Sequence, residues 1–202
     1  MSFDHFIFAN AIRNTLSEPA VRMVNFTVRN RVVGTMFLEM VAGMIMSGKI
    51  LCAIDPSKMS AGAVAAYYSK NKTIYGSREE GFYADDKSTF VHECTHAMFH
   101  IMGFAQPTTI RNIDNEIAAY LAGAIYIVAS GQTPNFRRKN DPIAEAFTIA
   151  STKKIAAPQA NTAPTNAGSP IEFLEEELTP LIQAIQTSPY YKDWNSVAVL
   201  TW

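Results

Sequence analysis

The sequence predicts an α+β fold: a mainly helical body with a small sheet or hairpin ahead of one long helix. Apolar residues recur at helical spacing through most of the 202 residues. The β-favouring runs are short and cluster between residues 49 and 76. The composition, 48% apolar and 17% charged, belongs to a chain that buries a core. This length fits one domain or one domain with an appendage, and we divide it at residues 1–154 and 155–202, the second part packed on the first.

The elements follow in order. Phe6, Ile7, Ala11, Ile12 and Leu16 share a face over residues 4–16, and Pro19 ends that helix. A second apolar, Met-rich helix is expected from Val32 to Met46, capped by Gly48. Lys49 to Ile54 reads as a short strand closed by Asp55 and Pro56. Ala63 to Tyr68 and Thr73 to Gly76 flank a polar turn and read as a hairpin. Together these give a sheet of three or four strands.

Residues 77–87 are polar, and Asp86 or Ser88 is placed to cap a helix running to about Met102, with Gly103 as its stop. Thr109 is placed to cap another long helix to about Ser130. Pro142 suits the first position of a helix to about Lys154. Residues 156–170 carry no periodicity and read as a linker. From Pro170 or Ile171 an amphipathic helix places Leu174, Leu178, Leu181 and Ile185 on one face, with Pro180 as a possible kink. This last segment either completes the core or folds over a cleft as a lid.

The bulk numbers exclude several function classes. A net charge of −1 gives no basic excess for nucleic acid. The most apolar stretch, Thr35 to Ile54, is broken by Glu39, Ser47 and Lys49, so no membrane span is expected. The first residues lack the basic and apolar regions of a signal peptide, and the two cysteines, Cys52 and Cys94, read as reduced thiols. A cytoplasmic protein is the expectation.

The chemistry lies in His92-Glu93-Cys94-Thr95-His96. On a helix, positions i and i+4 share a face, so both histidines can grip one metal ion while Glu93 stands beside it. With four histidines in the chain, a chance match to this pattern is on the order of a fraction of one per cent. Zn²⁺ suits two imidazoles and a carboxylate, leaving a fourth position for a water that Glu93 can deprotonate.

Two residues compete as third ligand. Glu116 lies 20 residues after His96, among Ile113, Ile117, Ala118 and Leu121. A lone carboxylate in so apolar a helix needs a partner, and a metal supplies one. Ala119 and Gly123 on its face would let the two helices approach closely. His100 follows His96 by one turn, too far along a straight helix to complete a compact tetrahedron, and reads as a supporting or surface residue.

On His92-Glu93-x-x-His96 and Asn115-Glu116, the sequence resembles the zincin metallopeptidases, and among them the gluzincins. The resemblance spans roughly residues 63–130. The third histidine or aspartate of the metzincin pattern is missing, since residue 102 is Met. It implies a zincin-like domain, Zn²⁺ as cofactor, a peptide or protein as substrate, and a substrate-pairing edge strand, placed at Tyr67, Tyr68 and Thr73 to Tyr75. Thermolysin-like enzymes carry an Asp four residues after the ligand glutamate; here that residue is Tyr120. Tyr120, Asp114 and Asn115 are therefore candidates to support the ligands. Tyr126, Tyr75 and Arg78 are candidates for the oxyanion.

The expected function is zinc-dependent hydrolysis of peptide bonds. Two other readings fit the same residues: a non-catalytic metal-binding or interaction module, and a secreted effector or toxin peptidase.

Overall fold

A computed structural model describes residues 3–29, 31–59, 63–78, 82–103, 112–132, 134, 141–153, 155, 169–189 and 191. The helices are α1 (Phe3–Leu16), α2 (Thr35–Met46), α3 (Ala84–Gly103), α4 (Asn112–Ser130), α5 (Pro142–Ser151) and α6 (Glu175–Thr187). The strands are β1 (Phe26–Val28), β2 (Arg31–Val33), β3 (Leu51–Ile54), β4 (Ala65–Tyr68), β5 (Thr73–Gly76) and β6 (Ile171–Phe173). This is the mainly helical α+β fold expected, with a hairpin directly ahead of the helix that carries the two histidines.

The sheet differs from expectation. In place of one sheet there are two of three strands each, ordered β2-β1-β6 and β3-β5-β4. Val32, expected at a helix start, lies in β2 opposite Thr27. Ile171, likewise expected to open a helix, lies in β6 and pairs in parallel with Phe26. Each of these strands has three residues, too few to show the alternation by which a strand is read. The turn between β1 and β2 places Arg29 at φ 47°, a left-handed conformation that glycine reaches more cheaply. Its side chain explains the choice: it joins Asp114 at the start of α4 and Glu175 at the start of α6.

The second sheet matches expectation in its strands and not wholly in its edge. β3 pairs in parallel with β5, and β5 pairs antiparallel with β4. Thr73 to Tyr75 therefore sit in the central strand, hydrogen-bonded on both sides. Of the residues expected at the substrate edge, only those of β4 lie on an edge; β3 is the other edge of this sheet. Tyr68 and Tyr75 share the face turned from Tyr67, their rings in edge contact at 5.1 Å.

The core runs between α3, α4 and α1 and under the second sheet. Phe8, Ile12, Ile74, Phe90, Val91, Cys94, Met98, Ile117, Leu121 and Ile125 are all buried. Gly48 ends α2 at φ 70°, the left-handed cap its position suggested. Asp141 caps α5, accepting from the Ile143 N–H at 3.2 Å, with Pro142 in the first turn. The expected cap at Thr109 and residues 156–168 of the linker lie outside the described residues.

The C-terminal segment is built into this body. β6 edges the first sheet, while Leu178, Leu181, Ala184 and Ile185 of α6 are buried. α6 packs on α5 and α4, and continues through Pro180. Lys153, just after α5, ties to Glu177 at 2.6 Å. Among the described residues, no helix is long and apolar enough to cross a membrane.

Candidate metal centre

The centre is built on the packing of α3 against α4. Helix α3 starts two residues before the expected cap. Asp86 sits in its first turn and reaches back to accept the Tyr83 N–H at 2.8 Å, while Arg78 pairs with the same carboxylate. Arg78 is thereby engaged at the helix start. From this start, Phe90, Val91, Cys94, Ala97 and Met98 turn into the core. His92 and His96, four apart, fall together toward α4.

Helix α4 reaches them because of Gly123. A Cβ there would stand 2.9 Å from the Ser88 carbonyl oxygen of α3. Glycine thus lets the two backbones come within a distance that any side chain would block. Glu116 is seven residues earlier, two turns along the same face, and this brings its carboxylate to the histidines.

His92 Nε2 lies 2.9 Å from His96 Nε2. Glu116 Oε2 is 3.5 Å from His92 Nε2, and Oε1 is 3.3 Å from His96 Nε2. Ligand atoms bound to one tetrahedral zinc at 2.0–2.1 Å are about 3.3 Å apart. The three side chains fall near that spacing, with His92 facing Oε2 of Glu116 and His96 facing Oε1. They form the only group of three or more His, Cys, Asp or Glu residues of this kind among those described.

The surrounding residues hold these donors in place. Asn115 Oδ1 faces His96 Nδ1 at 3.0 Å, so the Nδ1 carries the proton and the Nε2 lone pair points into the cluster. The Tyr120 ring stands edge-on to His92, centroids 4.5 Å apart, and braces that imidazole by packing. Tyr191, which follows α6, donates its hydroxyl to Glu116 Oε2 at 2.8 Å and lies 2.9 Å from the Tyr120 hydroxyl. Tyr191 was not identifiable from sequence, where it is only an aromatic residue past an amphipathic helix.

Three candidates are elsewhere. Asp114 joins Arg29 and steadies the start of α4. Tyr126 is ten residues past Glu116, about 15 Å along α4, and donates its hydroxyl to Glu18 at 2.7 Å. It is a buried strut, away from the clustered donors. Tyr75 accepts from the Asn71 amide at 2.8 Å on the sheet face away from Tyr67.

Glu93 stands beside the cluster and outside it. Its Oε1 is 3.9 Å from His92 Nε2, while Oε2 accepts the backbone N–H of Tyr67 at 2.7 Å. The register explains that contact. Val64 accepts from the Ser77 N–H, so the backbone groups of residues 64, 66 and 68 face β5 and those of Ala65 and Tyr67 face outward. The Tyr67 hydroxyl shares a hydrogen bond of 2.5 Å with His100 Nδ1. His100 is buried and supports the edge strand; it is not among the clustered donors.

The two carboxylates have opposite electrostatics. Burial pushes Glu93 up to about 7, against the pull of the His96 charge and the Tyr67 N–H. Burial also opposes ionisation of Glu116, but the charges and hydrogen bonds of His96 and His92, with the Tyr191 hydroxyl, hold it down to about 2. Without a metal, Glu116 thus favours its anion and Glu93 resists ionisation.

Compared with family models, characterised proteins and solved structures, the chain matches none of them.

Proposed function

We propose that this protein is a zinc-dependent hydrolase, a metallopeptidase of gluzincin type, with His92, His96 and Glu116 as metal ligands and Glu93 as general base. One observation carries the reading. Glu93 is buried next to the ligand cluster without belonging to it, and the edge strand orients it through the Tyr67 N–H. A structural site has no need of a second, uncommitted carboxylate there.

Zinc in this site supplies a Lewis acid and a water made acidic enough to deprotonate near neutral pH. The Tyr67 N–H holds one oxygen of Glu93, leaving Oε1 to take a proton and later return it to the leaving amine. Asn115 keeps His96 in the tautomer that can ligate. The Tyr67 carbonyl faces outward from the edge strand β4 and offers an extended peptide a group to pair with, beside the buried Ala65. That edge supports a peptide substrate over a small ester or amide.

The test is metal analysis of the purified protein combined with cleavage of a broad peptide library. Glu93→Gln is expected to retain zinc and lose about 10²- to 10⁴-fold in turnover. His96→Ala is expected to lose both zinc and turnover. Undiminished cleavage by Glu93→Gln would remove the mechanism.

A non-catalytic metal module has one observation on its side: His92 and Glu116 are only 8% and 5% exposed. Stoichiometric zinc with no library peptide cleaved would favour it.

A further inference from the structure

We infer that Tyr191 is the positioning residue for Glu116, so that the metal centre is completed by the C-terminal segment. The inference rests on the zinc reading and adds a residue to it.

Proton counting fixes the direction of the chain of hydroxyls. A tyrosine hydroxyl has one proton, and that of Tyr191 goes to Glu116 Oε2. The contact between Tyr191 and Tyr120 therefore has Tyr120 as donor. The order runs Tyr120 to Tyr191 to Glu116, and each bond polarises the next toward the carboxylate. A carboxylate with one oxygen fixed in this way presents the other to the metal in one orientation, with its rotation already restrained before metal arrives.

The ring is delivered by a built feature. The Tyr191 N–H donates to the Ser188 carbonyl at 3.0 Å, closing a tight turn with Pro189 at its second position. Ser188 in turn donates its N–H to Ile185 in the last turn of α6. Ile185 is buried against the core. Helix, turn and ring thus form one arm anchored at one end in the hydrophobic core and at the other on a metal ligand. Helix α4 meets the arm with Tyr120, four residues after Glu116. In thermolysin-like enzymes the aspartate at this point orients a ligand histidine. Here the Tyr120 ring braces His92 and its hydroxyl works through Tyr191 on Glu116.

The experiment is zinc affinity by competition with a chromophoric chelator, on the full chain as wild type, Tyr191→Phe and Tyr120→Phe. The visible spectrum of the Co²⁺-substituted proteins is recorded alongside. Phenylalanine keeps each ring and removes only the hydroxyl. Tyr191→Phe is expected to loosen zinc by roughly 10- to 100-fold and shift the cobalt bands, with the melting temperature of the metal-free protein close to wild type. Tyr120→Phe is expected to loosen zinc in the same direction by a smaller factor, and decides the matter if Tyr191→Phe does not fold. Wild-type affinity and an unshifted cobalt spectrum in Tyr191→Phe overturn this inference alone. A wild-type protein that binds neither metal overturns the zinc reading and this inference with it.

Discussion

Glu93 and Glu116 are the same side chain in opposite surroundings, and the difference lies in what each oxygen meets. Glu116 faces two imidazoles and a tyrosine hydroxyl; Glu93 faces one backbone N–H and the flank of His92. Residue type and spacing were enough to single out both as neighbours of the histidines, because the i, i+4 rule needs only a helix and a lone carboxylate in an apolar helix requires a partner. Tyr191 was not legible, being brought to Glu116 across 75 positions by packing alone. The setting of Tyr126 was hidden for a related reason: its place on α4 was visible, but its Glu18 partner, 108 positions away, was not. His100 gives a test at this scale. His100→Phe removes a partner of the Tyr67 hydroxyl and is expected to cost about 1–3 kcal/mol. Tyr67→Phe added to it should cost less than the sum of the two single changes, since the bond can be lost only once. Urea denaturation of the four proteins measures this, and additive losses would show that the contact contributes nothing.

At the scale of elements, the centre depends on how closely two helices approach. The small face of α4 was evident from sequence, and Gly123 proves to be its tightest point, against the Ser88 carbonyl. Helix propensity alone would reward Gly123→Ala by about 1 kcal/mol. Here the added methyl meets backbone, which has no rotamer to yield. The expected net outcome is destabilisation by about 1–3 kcal/mol, with weaker zinc binding as Glu116 is carried away from α3. Thermal melting and zinc titration of Gly123→Ala check both, and a stabilised variant with unchanged affinity would contradict the packing account. The long helices were legible because apolar residues recur over many turns. Strands β1, β2 and β6 were not, because three residues give almost no periodicity and the partners β1 and β6 lie 145 positions apart.

For the whole molecule, the question is whether the last segment covers the site or completes the body. Its described part does the latter, by three routes: β6 on the edge of β1, the buried face of α6 on α5 and α4, and the bridge from Arg29 to Glu175. Arg29 binds the two ends of the chain's logic together, since its other partner, Asp114, lies two residues before Glu116. Deleting residues 155–202 is therefore expected to yield an insoluble or unfolded product, as judged by solubility and loss of a cooperative melt. A soluble truncated protein with raised peptidase activity would instead identify the segment as a removable lid.

Cys94 sits between the two histidines in sequence and on the other side of α3 in space. Two residues turn a helix by about 200°, which places its thiol fully in the core, where burial first and then the nearby Cys52 and Glu93 keep it protonated. A thiolate at that position would be a softer donor than either imidazole and would draw the ion away from the carboxylate. Because the helix turns it inward, the cluster offers only nitrogen and oxygen donors. The peroxides and disulfides that attack exposed thiolates find no sulfur at this cluster.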